Sequence, residues 1–400
     1  MNERELKAMM IAATSKLTRK EGAWLVPSQS TGKRYTVDPN PTAPRCNCPD
    51  FELRQQKCKH VLAVEITIER EQSITETIDG QTVTTKTTET LKVSYTQDWT
   101  AYNDAQTNEK AMFQKLLFEL CNGIPEPQQG RGRPRLSYRD MIFSAAFKVF
   151  STVSSRRFMS DLQDAHAKGF ISKVPHFNSI FNYLELEALT PVLKLLITQS
   201  ALPLQALEND FAVDSSGFST CQYVRWFDAK YGKEVDAHDW VKVHLMSGVN
   251  THVVTSVEVT GRNVNDSPML PGLVSEPAEN FTINEVSADK GYSSRENHEA
   301  IASIGATPYI AFKKNTTGKV GGLFEKMFHF YSFNRDSFLA SYHKRSNVET
   351  TFHMIKAKFG SRIRSKGSVA QTNEALCKIL CHNICCLIQS MFEFGVDPQF

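Results

Sequence analysis

Tyr342-His343-Lys344-Arg345-Ser346-Asn347-Val348-Glu349, continuing to Lys356, is the stretch on which the reading of the whole chain turns. At about 100° per residue, Tyr342, Arg345, Glu349 and Lys356 fall within a narrow band on one side of a helix. Val348, Phe352, Ile355 and Phe359 form an apolar stripe beside that band. The pattern predicts a helix that buries its stripe in a core and presents one carboxylate among cations to a cleft. From Tyr342 to Lys366 there are seven Lys or Arg and one acid, Glu349. A lone carboxylate in that field makes sense if its partners are a metal ion and a phosphodiester. Taken alone, a surface helix with an ordinary Arg345–Glu349 pair, stabilising by only about 0.3–0.5 kcal/mol, is the simpler reading. Other ligands must therefore be found elsewhere in the chain.

The 400 residues are enough for two or three domains with real cores. A hydrophobic share of 41% and a charged share of 22% are ordinary for a soluble protein. The net charge of +3 points to no partner, but basic residues cluster near 131–139 and 344–366. The N-terminus carries acids early and lacks an uninterrupted apolar run, so no secretory segment is expected. The apolar run Leu376 to Phe392 is broken by Lys378, His382, Asn383 and Gln389, which predicts a core helix rather than a membrane span. Nine cysteines in a chain of this kind fit a reducing cytoplasm.

In chain order, residues 1–65 read as a small separate module: a helical stretch from about Glu3 to Arg19, strands at Trp24–Val26 and Tyr35–Val37, then a ligand set. Cys46, Cys48, Cys58 and His60 supply three thiolates and an imidazole, the donor set of a closed tetrahedral zinc site. Residues 66–100 are rich in Thr and Glu and read as a β-hairpin insertion, Ile74–Ile78 and Thr82–Val93 around Asp79-Gly80. Residues 101–136 hold a helix, Tyr102–Leu120, and a Pro-rich linker ending in the basic tract Arg131-Gly132-Arg133-Pro134-Arg135. Residues 137–204 are helical throughout, with candidates Tyr138–Phe150, Ser155–Ala167, Phe177–Leu186 and Pro191–Ser200 and N-caps at Ser137 and Ser155. That region reads equally well as a helix-turn-helix-like DNA reader or as a bundle beside a larger core.

Near residue 210 the texture switches to strands. Phe211-Ala212-Val213-Asp214 is a short apolar strand carrying an aspartate, and strands follow at Cys221–Phe227, Trp240–Met246 and His252–Val259. A helix over Asp266–Val274 precedes the strand Ile283–Ala288, which runs into Asp289; Ser294–Ser303 is helical and Thr307–Phe312 extended. This order predicts an α/β fold, a mixed sheet with helices on its faces over 205–400. Asp214 and Asp289 can then lie side by side on neighbouring strands, with Glu349 delivered by the helix as a third oxygen ligand. Three hard oxygens in one cleft suit Mg²⁺ (or Mn²⁺) and phosphate oxygens. Arg345 and Lys356 suit phosphate, and Tyr342 can stack or hydrogen-bond. The cysteines and His382 near the C-terminus repeat with apolar neighbours and read as core.

Two resemblances follow from these residues. The Cys-x-Cys, nine residues, Cys-x-His spacing resembles the SWIM zinc finger, which implies zinc and binding of DNA or protein. Val213-Asp214-Ser215-Ser216, Ala288-Asp289-Lys290-Gly291-Tyr292 and the Tyr-x2-Arg-x3-Glu-x6-Lys pattern at Tyr342, Arg345, Glu349 and Lys356 resemble the DDE transposases of prokaryotic insertion sequences, whose catalytic fold is RNase H-like. That resemblance implies metal binding by Asp214, Asp289 and Glu349, DNA contacts from Tyr342, Arg345 and Lys356, and cleavage of element ends followed by strand transfer. It also implies double-stranded DNA partners (terminal inverted repeats and target), a homodimer on DNA, and a nucleoid-associated location. The tract with Arg131 and Arg133 resembles the core of an AT-hook, which implies minor-groove contact. A DNA-binding regulator without catalysis and a related metal-dependent nuclease are the alternatives.

Overall fold

Alternation of apolar and polar residues decides the first strands, and turn chemistry decides where they stop. In the computed structural model, β1 (Thr18–Lys20), β2 (Ala23–Pro27), β3 (Arg34–Asp38) and β4 (Arg45–Cys46) form an antiparallel sheet in that order. The residues described are 4, 7–8, 11–12, 15, 17–20, 22–28, 34–40, 43–54, 56–72, 75–78, 81–84, 98–132, 134–220, 230, 240–313, 316–317 and 321–400. Trp24 and Val26 alternate inward on β2 and pack with Val37 against Val61 and Val64 of α2 (Lys59–Gln72). A shorter helix, α1 (Pro49–Arg54), lies between the metal-ligand pairs. The helix expected to run to Arg19 stops earlier, because Thr18–Lys20 is a strand paired with Ala23–Leu25. Gly22, at φ 88°, makes the tight turn between them, a conformation that costs glycine little. β5 (Thr75–Ile78) and β6 (Gln81–Thr84) pair with Ile78 opposite Gln81. The remainder of the expected second hairpin strand lies outside the described residues.

Residues Met1–Gln97 form one unit and Asp98–Phe400 another. The second opens with helices α3 (Trp99–Asn122), α4 (Tyr138–Ser151), α5 (Ser155–Ala167), α6 (Phe177–Leu184) and α7 (Leu189–Ala201). Asp98 caps α3 through the amides of Thr100 and Ala101. Ser137 caps α4 and is itself held by Glu126, whose carboxylate also accepts from the Tyr138 amide at 2.7 Å. The cap of α5 is Ser154, not Ser155, and it makes no side-chain hydrogen bond.

The sheet follows: β7 (Asp210–Ser219), β8 (Trp240–Gly248), β9 (Val254–Gly261), β10 (Glu285–Ala288) and β11 (Thr307–Ile310). Its order is β11-β10-β7-β8-β9, with β7, β8 and β9 antiparallel and β10 and β11 parallel to β7. Helices α8 (Leu270–Ser275) and α9 (Arg295–Ser303) connect strands, and α10 (Gly322–Phe333), α11 (Arg335–Tyr342), α12 (Ser346–Phe359) and α13 (Ser368–Phe394) complete the chain. The expected RNase H-like α/β class, a mixed sheet flanked by helices, is what the chain forms. The strand expected at Cys221–Phe227 lies outside the described residues.

The long helix α13 is apolar and long enough to cross a membrane, yet 78% of its most apolar stretch is buried within the unit. It packs against α3, α4, α7 and β9. Buried amides fix its orientation. Asn383 donates to Val254 O at 2.7 Å and accepts from Val254 N at 2.8 Å, while Asn373 donates to Leu184 O at 2.8 Å and accepts from the Thr190 hydroxyl at 2.7 Å. A buried ammonium closes the far end of α12. Lys378 Nζ donates to the carbonyls of Phe359 (2.8 Å), Gly360 (2.7 Å) and Arg362 (2.8 Å), satisfying acceptors that the end of a helix leaves open. Gly360, at φ 81°, lets the chain turn away there. Lys378→Ala strands these buried carbonyls and is expected to lower unfolding free energy by about 3 kcal/mol, read by urea denaturation of the full chain.

Candidate active site and metal centre

The parallel pairing of β10 with β7 sets Glu285 against Asp210 and Ala288 against Val213. The next residues along each chain are Asp289 and Asp214, so the two aspartates stand beside one another on strands about 4.8 Å apart. Parallel partners point to the same face, and the same face of β7 carries Asp210, Asp214, Ser216 and Phe218. Helix α12 crosses that face. Its apolar stripe, Val348, Phe352, Ile355 and Phe359, is buried as its periodicity predicts.

The segment before Glu349 departs from one continuous α-helix. Tyr342 ends α11, His343–Arg345 form a tighter 3-10 turn, and α12 begins at Ser346. The band survives the change. Arg345 Nη1 lies 2.8 Å from Glu349 Oε1 and 3.8 Å from Asp214 Oδ2, and its guanidinium stands 5.9 Å from the centre of the Tyr342 ring. Lys356 Nζ donates to Ser216 Oγ at 2.6 Å and sits 5.2 Å from the ring centre of Phe218.

Electrostatics register the same convergence. Burial pushes the Asp214 carboxyl up; the Ser215 amide and Arg345 oppose this, while Asp289 and Glu349 add to it. For Arg345, burial acts downward but is outweighed by Tyr342, Glu349, Asp289 and Asp214, which together raise it. Burial lowers Lys356. A half-buried acid with two more carboxylates acting on it is costly for a fold to keep unless cations share the site. Carboxylate oxygens are hard donors of the kind that suit a divalent ion such as Mg²⁺, although among the described residues the ligand group placed close enough to enclose an ion is Cys46, Cys48, Cys58 and His60.

Lys344, a residue to which the sequence assigns no task, is the clamp for this arrangement. Its Nζ lies 2.6 Å from Asp210 Oδ2 and 2.7 Å from Glu285 Oε2, joining the start of α12 to both aspartate-bearing strands. On the other face Ser215 donates to Asp266 at 2.7 Å, and Lys242 (2.7 Å) and His244 (3.3 Å) share that carboxylate. His244 also meets the Thr260 hydroxyl at 2.8 Å. Neither group has a sequence signal beyond being polar within strand patterns.

In the first unit Cys46, Cys48, Cys58 and His60 are all buried, and their ligand atoms lie within 4.8 Å of one another. Sulfurs about 2.3 Å from a tetrahedral zinc stand under about 4 Å apart, so the donor set and its closeness both fit zinc. Hydrogen bonding from Cys46, the largest influence, holds the Cys58 thiol far below its ordinary value, while Cys46 and Cys48 are pushed up. Arg131 is exposed, and Arg133 lies outside the described residues.

Two outcomes follow. Cys58→Ser is expected to abolish stoichiometric zinc, read by metal analysis of protein prepared without chelators, and to speed proteolysis within residues 1–97. Asp214, with its carboxyl raised in the fold, binds more protons folded than unfolded between its ordinary 3.8 and the raised value. Stability therefore falls as pH rises through that window and stays lower above it. Asp214→Asn should melt higher than the parent at pH 7.5 without added divalent ions, with the gap closing towards pH 4.

Residues 35–69 match the SWIM zinc finger family, a span that holds all four clustered ligands. Residues 205–384 match the family described as Transposase DDE domain, a span that runs from before β7 into α13 and includes Asp214, Asp289 and Glu349. No solved structure matches the chain. The chain carries a transposase DDE domain behind an N-terminal SWIM zinc finger.

Proposed function

We propose that this chain is a DNA transposase that cuts the ends of an insertion sequence and joins the freed 3′-hydroxyls to target DNA. The observation that carries the reading is the pairing of Ala288 with Val213, which sets Asp289 beside Asp214 on the face that α12 crosses with Glu349. A silent DNA-binding regulator has no need of two neighbouring aspartates and a glutamate ranged around one arginine. In this reading Asp214, Asp289 and Glu349 hold Mg²⁺ or Mn²⁺. Bound there, such ions would supply Lewis-acid activation of an attacking oxygen and charge stabilisation at a leaving one.

The chain's own residues do the rest. Arg345, already between Asp214 and Glu349, holds a non-bridging phosphate oxygen and screens the acids from one another. Lys356, steadied on Ser216, holds the next phosphate, and Tyr342 packs against sugar or base. In the first step water attacks phosphorus and the 3′-oxygen leaves with a proton. In the second, that hydroxyl attacks a target phosphodiester, so one P–O bond forms as another breaks. The joining step conserves the number of phosphodiesters and needs no nucleotide energy source.

The reading divides the labour among successive modules of the chain. Residues 1–65 hold most of the finger, whose helix α2 continues to Gln72; Thr75–Ile78 and Gln81–Thr84 are the described part of the hairpin insertion; 101–136 end in the tract with Arg131 and Arg133, a minor-groove anchor. Residues 137–204 form the helical region and 205–400 catalyse. Terminal inverted repeats and target DNA are the double-stranded partners, bound by a homodimer in the cytoplasm at the nucleoid.

The test uses the full chain, Mg²⁺ and a duplex bearing the element's terminal repeat. Asp289→Asn and Glu349→Gln should each lower end cleavage by at least about a thousandfold while DNA binding persists. Full cleavage by either variant would falsify the assignment. Arg345→Ala should weaken DNA binding and make the dependence of log K on log salt shallower by about 0.9, the share of one phosphate contact.

A further inference from the structure

A groove of about 1050 Å³ opens in the second unit between the end of α4, the start of α5, α6 and the segment running from Phe359 into α13. Its lining includes Arg156, Arg364 and Lys366, all exposed, and the rings of Phe177 and Phe181. The Arg156 guanidinium lies 5.4 Å from the centre of the Phe177 ring, and Phe181 is 41% exposed despite its size. Two helices begin at this groove, α5 with 13 residues and α13 with 27, and neither N-cap makes a side-chain hydrogen bond. Their first amides add positive potential to that of the side chains.

The loop that displays Arg364 and Lys366 is held rigidly. Lys378 gathers three of the carbonyls that precede Ile363, and Glu374 accepts from the amides of Arg364 (2.9 Å) and Ser365 (2.8 Å). Ser219 exchanges backbone hydrogen bonds with Ser361 and Ile363. Glu374 is thereby occupied with amides, and Glu185 is the other acid in the lining. What faces the groove is mainly preorganised positive charge beside aromatic surface, with the exposed Glu185 carboxylate near Gly367 at the start of α13.

We propose that this groove holds an unpaired strand of nucleic acid a few nucleotides long, its phosphates on Arg156, Arg364 and Lys366 and its bases against Phe177 and Phe181. Cations that track a backbone, interleaved with rings on which any base stacks, are the means by which single strands are bound without sequence preference. A duplex is too bulky for this concavity and buries its bases away from the rings. The inference rests on reading the chain as a DNA-processing enzyme and gives that enzyme a second place to grip: Phe359 stands ten residues, about 15 Å, along α12 from Glu349.

The experiment measures fluorescence anisotropy of the zinc-loaded full chain with labelled oligothymidylate, and separately with a labelled duplex, without added Mg²⁺. The double substitution Arg364→Ala with Lys366→Ala should weaken oligothymidylate binding about tenfold or more and make its salt slope shallower by about 1.4, two phosphates' worth for a single strand. Phe181→Ala should weaken it about tenfold with the slope unchanged, and Phe181→Trp, which keeps a ring, should retain binding. Duplex binding should stay within about threefold throughout. Unchanged oligothymidylate affinity overturns the proposal. Equal losses for strand and duplex also overturn it, by making the groove part of a general DNA surface, as does equal displacement by polyglutamate, which marks an acidic-polymer site. Because cleavage is not read, an inactive enzyme leaves this result intact, and a failed groove leaves the Asp289→Asn result intact.

Discussion

The register between two parallel strands is the constraint from which the rest of the second unit follows. A shift of one residue between β7 and β10 would turn Asp289 to the opposite face from Asp214, since side chains alternate with period two. Parallel ladders are evenly spaced and supply no turn to fix their register. Here it is set at both ends. Glu285 and Asp210 are paired across the strands, and Lys344 bridges their carboxylates, so the ammonium fits only when the pairing is correct. Four residues further along each strand, the same register sets Asp289 beside Asp214. Since Lys344 also immediately precedes Arg345 and the start of α12, one side chain ties the strand register to the position of the helix that carries Glu349.

Holding that arrangement has an electrostatic cost that the surrounding cations offset. Asp214 is disfavoured as a carboxylate by burial and by its acidic neighbours, and Arg345 lies near both it and Glu349. Lys356 sits on aromatic rings and a serine hydroxyl and, among the described residues, forms no ion pair with an acid, so its ammonium keeps its capacity for a phosphate. A site built for stability alone would pair each charge once and bury none of them unevenly. Unevenness of this kind, acids gathered on one side and a lysine left with neutral partners, is what phosphoryl transfer asks of a protein surface.

Much of this was legible in the sequence because it is local. Glu349 and Lys356 announce themselves by spacing, and the helix boundaries of α4 and α5 follow from apolar periodicity with serine at the start, although at α5 the cap is Ser154 rather than Ser155. The break at His343–Arg345 was not legible, since a 3-10 turn keeps nearly the same side-chain order as an α-helix over three residues. The strand at Thr18–Lys20 was lost to a helical pattern because its partner and the Gly22 turn decide it, not its own residues. Long-range polar pairings left no trace at all. Lys344, Asn383 and Lys378 look like surface residues or helix interruptions on paper, and only the fold brings their acceptors to them. The groove is hidden for the same reason: Arg156 and Phe181 are separated from Arg364 by about half the chain.

The two sets of candidate ligands in the chain differ in a way that would keep their ions from interfering. Cys46, Cys48, Cys58 and His60 are soft and borderline donors, buried and close enough to enclose an ion completely. Asp214, Asp289 and Glu349 are hard oxygen donors beside cations suited to phosphate, with the Glu349 side chain 55% exposed. Thiolates hold zinc tightly and discriminate against magnesium, whereas carboxylates on an open face bind magnesium weakly and leave room for water and phosphate oxygens. Donor softness and site closure would therefore separate an ion enclosed by the thiols from one held at the carboxylates.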